Sequence, residues 1–191
     1  MPDSQSPVLD TRGQFLIAMP GLEDPLFAGS LIYILDHTDE GATGLIVNRP
    51  MDVSEDEVLE QFDKDHPHAH GNHPIYQGGP VDTQRGFVLH APGDTQWGHE
   101  IPLTDNLHCT MSADILEAIA GGKNIGEHLV ILGYAGWDAG QLEQEIADNA
   151  WLIAPATESI LLETRFEHRL DAVMAQLGID YHSLSPMAGH A

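Results

Sequence analysis

The sequence predicts one α+β domain, on three observations. Short apolar runs flank a turn, as Leu31 to Leu35 and Leu45 to Val47 flank Thr38-Asp39-Glu40-Gly41, and so read as a hairpin. Other runs, such as His128 to Tyr134, stand between segments of helical period. No composition shift or internal repeat interrupts the 191 residues, a length near the roughly 150 residues of an average domain. Strands that pair locally and also alternate with helices fit α+β better than a strict βαβ succession.

Taken in order, residues 1–12 hold Pro2, Pro7 and no apolar run, and are expected to form a flexible tail before a domain at 13–191. Phe15 to Met19, closed by Pro20-Gly21, is expected to be a strand, and Asp24 to Ala28 one helical turn. Ser54 with Glu57 makes a capping box for a helix through Phe62, with Val58, Leu59 and Phe62 on its apolar face. Ile75 to Gln77 begins a strand that breaks at Gly78-Gly79-Pro80. Arg85 to His90 and Asn106 to Met111 are strands, the second with Leu107, Cys109 and Met111 on one side. Ser112 is expected to cap a helix through Ala120 that Gly121-Gly122 ends. His128 to Tyr134 is strongly apolar and expected to be central. Asp138 with Gln141 resembles a capping box for a helix to Asn149, and Trp151 to Ala154 is a strand. The last helix is Phe166 to Leu177, with Phe166, Leu170, Val173, Met174 and Leu177 inward and Gly178 at its C-cap.

Charge narrows the function. Seven Lys and Arg stand against 30 Asp and Glu, a formal net charge of −23. A duplex-binding face needs several cations clustered on one surface, and nearly all seven would have to share it. An anionic membrane surface is disfavoured for the same reason. No run is long enough for a spanning helix, and the N-terminus lacks the basic-then-apolar order of a signal peptide. Cys109 is the only cysteine, so no intrachain disulfide framework exists. A soluble cytoplasmic protein is the expectation.

Four groups are candidates for chemistry. Arg49, in Asn48-Arg49-Pro50, and Arg85, shortly after Gly78-Gly79-Pro80, sit in turns at strand ends. Guanidinium forks with exposed loop amides suit a carboxylate or phosphate, so Asn48, Arg49, Gly78, Gly79, Pro80 and Arg85 are read as a small-anion site. The competing reading pairs each Arg with a nearby carboxylate, such as Asp52 or Asp82, or with loop carbonyls. The turn from Gly133 to Glu143 is a second place for a ligand, through Gly136, Trp137 and Gln141, with the Asp138 carboxylate competing for its amides. His66, His68, His70 and His73 have the residue type for zinc, nickel or copper, but a polar loop insertion is the favoured reading and no metal or other cofactor is expected. Cys109, between Leu107 and Met111 in register, is read as a buried inert thiol. No G-x-S-x-G, H-E-x-x-H or G-x-G-x-x-G occurs, and no catalytic residue is assigned.

Six ordered phrases then resemble one family: Phe15-Leu16-Ile17-Ala18-Met19-Pro20, Gly44-Leu45-Ile46-Val47-Asn48-Arg49-Pro50, Gly78-Gly79-Pro80-Val81, Arg85-Gly86-Phe87-Val88-Leu89-His90, Leu132-Gly133-Tyr134-Ala135-Gly136-Trp137 and Gly140-Gln141-Leu142-Glu143. The chain resembles the YqgE/AlgH family of small bacterial cytosolic proteins, from Gln14 nearly to its end. The resemblance implies an α+β fold with a mixed, partly barrel-like β-sheet surrounded by helices. It also implies a transcriptional-regulator role, which the charge makes indirect, through a protein partner. It brings no catalytic mechanism. The His-rich loop and Cys109 depart from the family pattern and inherit no role from it. A small-anion sensor, or an enzyme using the two arginines as clamps, is the alternative.

Overall fold

Both faces of the first strands are buried. The computed structural model describes residues 9–63, 65 and 73–184. In chain order its strands are β1 (Gln14–Ala18), β2 (Leu31–Thr38), β3 (Gly41–Ile46), β4 (Pro50–Ser54), β5 (Pro74–Gln77), β6 (Val81–His90), β7 (Glu100–Thr104), β8 (Leu107–Thr110), β9 (His128–Asp138) and β10 (Trp151–Pro155). Phe15, Ile17, Leu31 and Tyr33 point into one apolar cluster, while Leu16, Ala18, Ile32 and Ile34 point into another. That alternation is the period-two consequence of the pleat, applied to a sheet covered on both sides.

The strands form one curled, mainly antiparallel half-barrel, in the order β10-β1-β2-β3-β9-β6-β8-β7. β4 pairs with β5, and β5 joins β9 in parallel, Tyr76 opposite Ile131. The helices are α1 (Glu55–Leu59), α2 (Asp114–Ala120), α3 (Gln141–Ala147), α4 (Glu158–Leu162) and α5 (Phe166–Leu177). Leu161 of α4 and Val173 and Met174 of α5 pack with the concave face, against residues such as Phe15, Leu89 and Leu129. Leu142 of α3 covers part of the convex face with Trp137 and Trp151. Leu59, Ile115 and Ile119 cover another part, against Val88 and Val130. Each such side chain contributes about 1.5–3 kcal/mol on burial. Between the edge strands, Thr104 donates its hydroxyl hydrogen to Glu158 at 2.7 Å, linking the end of β7 to α4.

The single-domain α+β expectation holds, and the half-barrel is the barrel-like sheet that the resemblance implied. Local differences have physical causes. The Ser54–Glu57 capping box forms, but α1 stops at Leu59 and tightens into a turn that leaves Phe62 40% exposed. Ser112 does not cap α2: its Oγ instead accepts from His99 N at 3.0 Å, and Ala113 takes the cap position. Asp138 does not cap α3 either. β9 runs through it, the chain turns at Gly140 with φ +75°, and Gln141 Oε1 accepts from Asp138 N at 2.9 Å. Leu9 to Arg12, expected in a loose tail, are placed against the domain at Thr11. That residue is fully buried, and its N donates to His37 Nδ1 at 3.3 Å. Arg169 on α5 is buried, held by Thr164 O at 3.0 Å and lying 5.0 Å from the Tyr76 ring centroid.

Candidate functional site

At the mouth of the half-barrel residues of β2, β3, β6, β7 and β9, with the segment before β1, line an open cavity of about 640 Å³. This lies within the roughly 300–1,000 Å³ of small-molecule sites, and barrel mouths are a recurrent place for them. Along β6 the pleat puts Arg85, Phe87 and Leu89 on one side. β6 also leaves register with β9 between Val81 and Gly86, with Asp82 at φ +43°. Such a bulge re-aims a side chain, and Arg85 emerges from it onto the cavity. A second irregularity, between Ile34 and Asp36 of β2, lets the consecutive Leu35 and Asp36 both line the same space. Ile101, Leu103 and Met111 complete an apolar wall.

Two polar groups stand out. Tyr33 is 1% exposed and its hydroxyl has no hydrogen-bond partner among the described residues. The hydroxyl lies beside Gly13, another lining residue, within 3.8 Å of where a Cβ would stand. Burial, with Glu158 and Cys109 adding to it, pushes the phenol up to about 12, so it remains an O–H donor near neutrality. Arg85 is exposed. Its guanidinium lies over the Phe87 ring and 3.7 Å from Met111 Sδ, with no carboxylate partner among the described residues. Arg12, on the same rim, is engaged by Asp10 through Nε at 3.0 Å and a terminal nitrogen at 2.7 Å, which holds the Asp10 carboxyl down to about 2. Burial pushes the Cys109 thiol up to about 12, with Arg85 opposing.

The sequence matches the AlgH-like family, DUF179, over residues 15–182. The chain belongs to the AlgH-like family. Among AlgH-like relatives, a UPF0301 protein of Thioalkalivibrio sulfidiphilus is 49% identical over 178 residues, covering 93% of this chain and 95% of its own. One of Hahella chejuensis is 47% identical over 185 residues, covering 94% and 96%. The solution structure of the AlgH protein of Pseudomonas aeruginosa superposes with a TM-score of 0.77 at 45% identity, covering 98% of this chain and 99% of that one. A crystal structure from Corynebacterium diphtheriae shares the fold, with a TM-score of 0.61 at 24% identity over 78% of each chain.

In this AlgH-like chain the motif residues fall in four places, Arg85 at the cavity and the others in three places away from it. Asn48 Oδ1 accepts from Leu31 N at 2.9 Å and its Nδ2 donates to Gly29 O at 3.0 Å. Arg49 donates to Leu26 O and to Ala28 O. Both residues therefore fasten the 24–30 loop, and neither lines the cavity that Arg85 lines. A Cβ on Gly78 would stand 2.2 Å from Gly133 O, and one on Gly79 would stand 2.1 Å from Tyr134 C. These glycines thus admit β9 backbone; Pro80 beside them is exposed. Trp137 Nε1 and Trp151 Nε1 both donate to Glu145 Oε2, at 2.9 and 2.8 Å, and Gln141 Nε2 donates to Glu145 Oε1. This cluster covers the convex face, with exposed Gly136 next to it. His66, His68 and His70 lie outside the described residues; the His73 ring stands 6.5 Å from that of His128. Tyr33 was not among the sequence candidates. Its signal was an aromatic with a polar tip in the same register as Phe15 and Ile17.

Proposed function

We propose that this protein is a non-enzymatic, cytoplasmic binding protein for a small organic anion, held at the half-barrel mouth, and that its occupancy is read by a protein partner. One observation carries the reading: Arg85 opens onto the cavity with no carboxylate partner of its own among the described residues, in a chain where acids outnumber bases 30 to seven. A guanidinium so placed is a receptor for a ligand carboxylate or phosphate. Binding is favoured over catalysis because the Tyr33 phenol bordering the cavity and the buried Cys109 thiol are both pushed up to about 12 and stay protonated. An indirect route to any regulatory effect is favoured because the cations are dispersed. Arg12 and Arg165 face their own carboxylates, Arg49 holds loop carbonyls, Arg169 is buried and Lys123 reaches Thr95. A partner could sense the ligand through the rim segment Asp10 to Gly13, which Thr11 docks onto His37.

Amide chemical-shift mapping with a mixed set of neutral, cationic and anionic fragments tests the reading. Shifts at Tyr33, Arg85, Phe87 and Met111 are expected. Fragments that shift only other surfaces would overturn it.

A further inference from the structure

We infer that the ligand class of this cavity is an amphipathic monocarboxylate whose body carries a neutral oxygen acceptor, such as a hydroxy or oxo acid. The inference rests on the proposed function and narrows it. Three features of the lining select this chemistry.

The first is charge. The lining holds two guanidiniums and two carboxylates. Arg12 is engaged by Asp10, which leaves Arg85 as the open cation and Asp36 as an exposed carboxylate on the same rim. One open guanidinium compensates one negative charge; a phosphate dianion would meet Asp36 and the field of a chain at −23. The second is the wall. Phe87, Ile101, Leu103 and Met111 offer side chains with no hydrogen-bonding group beyond the weak thioether acceptor, so the part of the ligand lying on them is apolar. The third is Tyr33. Its hydroxyl is closed to solvent and unpartnered among the described residues, which is costly. It borders the cavity beside Gly13, so an oxygen on the ligand body that reaches it would accept its proton. Arg85 and Tyr33 both line this cavity, so the two residues border one space.

Calorimetric titration of the full chain with octanoate, ω-hydroxyoctanoate, 1-octanol and inorganic phosphate tests this. Octanoate is expected to bind more tightly than octanol by about tenfold, the scale of one charge-assisted contact. The hydroxy acid is expected to bind more tightly still, and phosphate to give no binding. Arg85→Gln should bring octanoate down to octanol. Tyr33→Phe keeps the ring, and should erase the preference for the hydroxy acid over octanoate; circular dichroism confirms that both variants are folded. Octanol binding as tightly as octanoate, or phosphate binding as tightly, would overturn the ligand class and leave the cavity as a binding site. A Tyr33→Phe variant that keeps the preference would remove the oxygen acceptor from the class. Failure of every probe would overturn the ligand class alone if the fragments still shift the cavity amides, and the proposed function too if they do not.

Discussion

The guanidinium carbon of Arg85 stands 5.5 Å from the centre of the Phe87 ring, two residues along the same face of β6. Arg49, the other arginine in a shared motif, is instead tied to two carbonyls of the 24–30 loop. The two should respond oppositely to substitution. Arg49→Ala is expected to cost about 1–2 kcal/mol of stability through lost charge-assisted bonds. Arg85→Gln should change stability by less than about 1 kcal/mol, the worth of an exposed cation–π contact. Urea denaturation of both variants measures this. A larger loss at Arg85 than at Arg49 would make Arg85 a scaffold residue.

Gly79→Ala is expected to cost about 3 kcal/mol or more, because the new methyl would meet Tyr134 backbone at 2.1 Å in a conformation with φ +155°. Gly86→Ala, where the nearest atom is 4.0 Å away, is the control and should cost less than about 1 kcal/mol. Thermal melts of both variants check the contrast. Equal losses would show that close backbone approach is not why glycine stands at position 79.

Stability should fall as pH rises above 6.5 because of His128. Its Nδ1 faces Gly126 O at 2.8 Å and its Nε2 faces Glu55 Oε1 at 2.7 Å, two acceptors that favour the imidazolium, in which both nitrogens donate. Burial works against that charge, but Glu55 outweighs it and the ring is raised above 6.5. The stabilisation is therefore complete below pH 6.5 and is lost as pH climbs through the raised value. His90, lowered by burial, acts on the other side: its contribution is present above 6.5 and is lost as pH falls through its lowered value. Denaturation between about pH 6 and 9 should show the alkaline loss, and His128→Gln should flatten it. A loss of the same size in the variant would assign the effect elsewhere.

Added salt should raise the melting temperature. Thirty acids against seven bases leave many carboxylates facing like charge, and salt screens that repulsion. Melts at two ionic strengths decide, and an unchanged or lower midpoint at higher salt would contradict it.

The strands that bury both faces were legible, because Phe15-Leu16-Ile17-Ala18 and the run from His128 leave no polar position to mistake. β4 and β7 were not: their residues are mostly exposed or half-buried, so no apolar alternation marks them. The candidate site was legible in one residue. Arg85 was singled out as a cation near a glycine turn, but what distinguishes it from Arg49 is register. Arg85 shares its face with Phe87 and Leu89, whereas Arg49 follows the end of β3 in a turn. The half-barrel that brings Tyr33 of β2 near Cys109 of β8 depends on strand order, which local pattern does not encode.

The most direct test of the central claim is a crystal structure of the protein soaked with octanoate. The carboxylate is predicted to lie against the Arg85 guanidinium, with the alkyl chain along Phe87 and Met111 inside the half-barrel. A carboxylate bound at Asn48 and Arg49, or at the turn from Gly136 to Gln141, with no octanoate in the half-barrel, would contradict the account.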